Sequence, residues 1–104
     1  MRGYYAIMIM SFHNNGTEDI FNGRETRAAR STCPSSLWSV AVRKLEQLDS
    51  VDILRDMNSP PGNRLEALRG ARSGQYSVRV NDQYRVCFVW SDAGPRDVEI
   101  VDYH

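Results

Sequence analysis

Residues 75–90 read QYSVRVNDQYRVCFVW, and their period of two decides the fold. Tyr76, Val78 and Val80 alternate with Gln75, Ser77 and Arg79. After Asn81-Asp82-Gln83, Tyr84, Val86, Phe88 and Trp90 alternate with Arg85, Cys87 and Val89. Successive side chains of a strand point to opposite faces, so each run predicts a half-buried strand. A three-residue polar break between them suits antiparallel neighbours, because a parallel crossover needs about a dozen residues. The pattern extends both ways. Asp92-Ala93-Gly94-Pro95 predicts another tight turn and 97–103 a last strand bearing Val98, Ile100 and Val101. Upstream, 65–68 opens a strand that GARSG, 70–74, turns back.

Before this meander the period is helical. Leu37, Ala41, Leu45 and Leu48 recur at intervals of four, four and three, predicting the main helix over 36–48, with Trp38 and Val42 widening its apolar stripe. A short helix is expected over 51–57. SPPG, 59–62, then ends helical structure, since proline lacks an amide hydrogen and restricts its neighbour. Residues 6–12, AIMIMSF, predict an N-terminal strand. Asn14-Asn15-Gly16 is a turn, Thr17 caps a helix over 18–22, and Gly23 ends it. Residues 24–34 carry no apolar stripe and are expected as a loop. Helices first and a meander afterwards predict an α+β fold, an N-terminal strand and helices packed on a mainly antiparallel sheet. Residues 1–104 form one expected domain; Met8 and Met10 each offer a start, which marks 1–7 as a candidate extension.

Composition narrows the function classes. The 104 residues are 41% hydrophobic and 25% charged, ordinary for a globular domain. Cys33 and Cys87 form no ligand spacing, so no metal or other cofactor is expected and a reducing compartment fits. Cys33 is expected as an exposed thiol and Cys87 as a small packing group. YYAIMIM, 4–10, is too short to span a bilayer, and a cytoplasmic protein is expected. Formal net charge is zero, which excludes a generally basic nucleic-acid binder. The charges are nonetheless segregated. Residues 64–85 hold Arg64, Arg69, Arg72, Arg79 and Arg85 against Glu66 and Asp82, whereas 92–104 are acidic. A neutral chain can thus present a basic patch.

The expected sheet could bring together Arg69, Arg72, Arg79, Arg85, Asp102, Tyr103 and His104. Histidine exchanges protons near neutrality. Arginine holds phosphate and balances charge in a transition state. Tyrosine offers a ring to an unstacked base. Taken alone, the set points to phosphodiester chemistry or RNA binding without choosing between them. His13, beside a turn, is expected to be a surface residue.

The stretch PPGNRLEALRGARSGQYSVRVNDQYRVCF, followed by DVEIVDYH, resembles the HigB toxins of the RelE/ParE superfamily. The resemblance runs from about Met8 to His104 and is strongest over 60–104. It implies a RelE-like fold and ribosome-dependent mRNA cleavage without a metal. It also implies neutralisation by a HigA-like helix-turn-helix antitoxin, with DNA met only through that partner and no membrane. Asp102, Tyr103 and His104 match the family's terminal Asp-Tyr-His, and His104 becomes the acid–base candidate. Arg69 stands where the family often has lysine; since arginine does not deprotonate, it is assigned phosphate binding. Arg85 matches the arginine after an aromatic residue, with Tyr84 in place of tryptophan. Arg72 and Arg79 are the expected RNA-steering cations. Ala71 departs from the family's acidic residue. These departures keep two alternatives: a weakly active relative serving antitoxin binding and operon co-repression, and a ParE-like gyrase inhibitor.

Overall fold

The computed structural model describes residues 8–103. The main helix, α3, forms over Trp38–Leu48 behind a 3-10 turn at Ser35–Leu37, and buries Ala41, Leu45 and Leu48 as the spacing requires. Among the described residues, two shorter helices precede it. The first, α1, spans Asn15–Phe21, with the Asn14 side chain accepting from the Thr17 amide at 2.9 Å. Asn14 is therefore the cap expected of Thr17. Thr17 is itself buried, and its hydroxyl oxygen accepts from the Ile100 amide at 3.0 Å.

The expected loop over 24–34 contains a second helix, α2, Arg27–Thr32, capped by Thr26, whose hydroxyl accepts from the Ala29 amide at 3.1 Å. A six-residue helix that buries only Ala29 has no apolar periodicity to display. Its contact with α1 depends on Gly16, where a Cβ would fall 2.5 Å from the Ala28 carbonyl oxygen. Cys33, expected to be exposed, is buried at the end of α2, below Trp38, whose indole donates to the Cys33 carbonyl at 3.0 Å.

The short helix expected over 51–57 is a 3-10 turn at Leu54–Asn58. SPPG does not stop helical geometry outright. Pro61 opens a further 3-10 turn, Pro61–Asn63, where a missing amide hydrogen costs nothing. Asn63 is buried and pins this segment to α3, donating to the Met57 carbonyl at 2.9 Å and to Gln47 Oε1 at 3.0 Å while accepting from Lys44.

Four strands follow: β1 (Glu66–Ala67), β2 (Gln75–Arg79), β3 (Tyr84–Ser91) and β4 (Gly94–Asp102). They form an antiparallel meander in the order β1-β2-β3-β4. The register pairs Ser77 with Cys87, Cys87 with Glu99, and Arg79 with Arg85. Between Cys87 and Val89 the register shifts, so that Asp97 and Val98 together oppose Phe88. Asp97 takes a φ of 51° there, a conformation aspartate tolerates better than most residues.

Of the strand expected over 6–12, residues 6 and 7 lie outside the described residues. The remainder runs parallel to β4 with a single bridge, Phe12 to Val98. The Met10 amide donates to the Pro95 carbonyl at 2.7 Å and the His13 amide to the Val98 carbonyl at 2.9 Å.

The even-numbered positions of β2 and β3, and of β4 after the bulge, face the helices. Val78, Val86, Phe88, Val98 and Ile100 join Ile20, Leu45, Leu48 and Met57 in one core. Burying each such side chain contributes about 1.5–3 kcal/mol. Tyr76, Tyr84 and Trp90 pack against this core, as their parity predicts. The opposite face carries Ser77, Arg79, Arg85, Cys87, Glu99 and Val101 and is roofed by polar side chains. Among the described residues, no helix is long and apolar enough to cross a membrane.

Candidate functional site

The site lies on that second face. Arg85 is its most constrained member. Its Nε donates to Ser77 Oγ at 2.8 Å and its Nη2 to the Arg64 carbonyl at 2.6 Å, while Nη1 stands 3.8 Å from Glu66 Oε1. Only 11% of the side chain is exposed. Arg64 adopts a left-handed backbone, φ 48°, at the end of the Pro61–Asn63 turn, and its carbonyl accepts from Arg85 in that conformation. Such backbone is costly for a non-glycine residue and persists where surrounding contacts fix it. The Arg85 guanidinium carbon lies 5.7 Å from the centre of the Tyr103 ring. Tyr103 is held by its amide, which donates to the Gln83 carbonyl at 2.6 Å, and the residue is 41% exposed. A fixed cation under an accessible ring suits a phosphate beside an unstacked base.

Arg72 reaches the same face from the 3-10 turn Gly70–Arg72 that joins β1 to β2. Its Nη1 donates to Gln75 Oε1 at 3.0 Å and lies 3.4 Å from Glu99 Oε1. Glu99 in turn stands 3.9 Å from His13 Nε2. Cys87 is buried between the two arginines. Burial pushes its thiol above the ordinary range and Glu99 adds to this, whereas Arg72 and Arg85 pull the other way.

The remaining candidates are placed differently. Arg79 is directly across from Arg85 but engaged by Asp82. Arg69 is exposed just before the 3-10 turn. Asp102 pairs with Tyr84, on the helix-facing side of the sheet, and accepts from Gln83 Nε2 at 3.1 Å. Burial and the facing Asp102 carboxylate raise the Tyr84 phenol above its ordinary value. Asp102 and Tyr103 thus point to opposite faces, as strand alternation requires. His104 lies outside the described residues.

Sequence reasoning passed over Ser77, Glu99 and the pairing of His13. Glu99 shares parity with Val101 and Cys87, and that signal places it on the arginine face. His13 is 86 residues away in the chain and reaches Glu99 only because residues 10–13 run beside β4.

A helical layer on one side of a four-stranded antiparallel meander, with arginines paired to carboxylates on the opposite face, defines a small α+β protein. The sequence model of the HigB-like toxins, described as RelE-like toxins of type II toxin–antitoxin systems, matches residues 10–104. The chain belongs to this family. It is 49% identical over 59 residues to Toxin HigB-1 of Vibrio cholerae, covering 57% of this chain and 62% of that protein. It is 39% identical over 62 residues to an uncharacterized protein of Haemophilus influenzae, covering 60% and 61% of the two. These matches span about three-fifths of the curated relatives' length. The YoeB–YefM complex from Staphylococcus aureus contains a chain of similar fold, with a TM-score of 0.52 and 16% identity over 94% of this chain and 97% of that one.

Proposed function

We propose that this protein is the toxin of a type II toxin–antitoxin pair and cleaves mRNA on the ribosome, stopping translation. The observation that carries the reading is Arg85, locked by Ser77 and the Arg64 carbonyl beneath the exposed Tyr103 ring, one residue before His104. A HigA-like antitoxin encoded beside the toxin neutralises it. The family membership and the likeness to a chain from the YoeB–YefM complex support an antitoxin partner.

The chemistry is an internal transesterification. A ribose 2′-hydroxyl attacks the adjacent phosphorus, the P–O2′ bond forms and the P–O5′ bond breaks. The products are a 2′,3′-cyclic phosphate and a 5′-hydroxyl. Arg85 stabilises the charge gathering on the non-bridging oxygens, a role that needs no metal. His104 takes the proton from the 2′-hydroxyl or delivers one to the leaving 5′ oxygen. Tyr103 stacks on a neighbouring base. Arg69, Arg72 and Arg79 guide the backbone, and Asp102 acts at the strand's other face as a charge near the terminus.

The test is to map mRNA ends in a translation extract with the native C-terminus and with His104→Ala. Ribosome-dependent cuts that vanish in the variant are expected. Intact mRNA with a folded wild-type protein would replace the nuclease reading by antitoxin binding or gyrase inhibition.

A further inference from the structure

The carbonyl that holds Arg85 belongs to Arg64, whose backbone lies in the left-handed region at φ 48°. A non-glycine residue keeps that conformation only where its surroundings impose it. Here the residues on both sides are fixed. On one side Asn63 is fully buried. Its Nδ2 donates to the Met57 carbonyl at 2.9 Å, to Gln47 Oε1 at 3.0 Å and to the Ser59 carbonyl at 3.2 Å, while its Oδ1 accepts from Lys44. Gln47 also donates to the Ser59 carbonyl at 2.6 Å, tying α3 to the turn a second time. Buried polar networks that are fully satisfied rigidify what they hold.

On the other side the Leu65 amide donates to Asn58 Oδ1 at 3.1 Å. That amide and the Arg64 carbonyl belong to the same peptide unit. A trans peptide is planar, with its N–H and C=O pointing in opposite directions. Holding the Leu65 N–H on Asn58 therefore turns the Arg64 carbonyl the other way, towards Arg85 Nη2 at 2.6 Å. The Arg64 amide closes the preceding 3-10 turn on the Pro61 carbonyl at 3.2 Å, so the residue is gripped along its whole backbone.

We propose that Asn63 and Asn58 are positioning residues for Arg85: together they set the plane of the Arg64–Leu65 peptide, whose carbonyl aims the guanidinium at the phosphate. This rests on the RNA-cleaving reading above. Both asparagines act through Arg85 rather than on RNA. Losing either leaves the charge of Arg85 in place and spoils its aim, so binding persists while the chemical step slows.

The experiment compares wild type with Asn63→Asp and Asn58→Ala. Asn63→Asp keeps the shape and the Lys44 contact but turns the donor nitrogen into an acceptor facing other acceptors. Asn58→Ala alters an exposed side chain, and decides the matter alone where Asn63→Asp does not fold. The first readout is the nitrogen–proton correlation spectrum of the Arg85 side chain, assigned by its disappearance in Arg85→Lys. A guanidinium gripped at Nε and Nη2 turns slowly, so distinct Nη signals are expected in the wild type and merged ones in both variants. The second readout is mRNA cleavage in a translation extract as ribosome concentration is varied. The rate at saturation should fall about 10- to 100-fold, the cost of a small misplacement, while the half-saturating concentration stays the same.

Distinct Arg85 signals in either folded variant would overturn the proposal for that asparagine and leave it a prop for the turn. Merged signals with unchanged cleavage would overturn the link to chemistry. A wild type without distinct Arg85 signals would overturn the grip itself. No wild-type cuts would sink the nuclease reading and the catalytic consequence with it, whereas the spectrum still decides how Arg85 is held.

Discussion

At the scale of single residues, two side chains do work that their neighbours could not take over. Arg85 uses the fork of its guanidinium, with Nε on Ser77 and Nη2 on the Arg64 carbonyl. Lysine carries the same charge on one nitrogen and cannot span both. Under the proposed nuclease function, Arg85→Lys should therefore fold but cleave mRNA about 10- to 100-fold less, the range expected for losing a charged hydrogen bond; primer extension across the cut sites, beside a circular dichroism spectrum, checks this. Thr17 joins the helices to the sheet through one bond, from the Ile100 amide to its hydroxyl. Thr17→Val keeps the shape and leaves that buried amide without an acceptor, which should cost about 1–3 kcal/mol in a urea melt. Nothing local in the sequence distinguished this threonine from a helix cap, because its partner lies 83 positions away.

Among the elements, what could be read in advance depended on how each one buries itself. The strands over 75–79 and 84–91 and the helix over 38–48 bury broad apolar surfaces, and their periods of two and about 3.6 showed in the order of the residues. Helix α2 packs through Ala29 and the bare backbone of Gly16, so RETRAARST reads as polar chain. The same contact makes a sharp prediction. Gly16→Ala would press a methyl group against the Ala28 carbonyl and the Thr32 hydroxyl, and should destabilise the fold by about 1–3 kcal/mol through overpacking, measured as a lowered Tm. The arginine side of the site was legible from strand parity and charge clustering. The same parity places Glu99; its meeting with His13 was not legible, because it comes from the parallel run of residues 10–13 along β4, a pairing of distant segments with no local signature.

For the whole molecule, the two faces of one sheet differ in character, one packed against the helices and the other lined with charge, and Cys87 reports on that division. Its thiol lies on the charged face yet is fully buried, and burial holds its pKa above the ordinary value near 9. A thiol with a raised folded-state pKa stays protonated longer in the native protein than in the unfolded chain. Its contribution is therefore complete below about pH 9 and is lost as pH climbs through the folded-state value. The Tm of the wild type should fall more steeply between pH 8 and 10 than that of Cys87→Ala; parallel curves would refute this. The edge of β4 raises a matter of timing. Residues 10–13 find their hydrogen-bonding partners at 95–98, more than eighty positions later, and of the four strands β4 is the last to leave a translating ribosome. Contacts that close such long loops slow folding. The segment that brings His13 to Glu99 must therefore wait, unpaired, through nearly the whole synthesis of the domain, so the assembled surface comes into being late in the birth of each molecule.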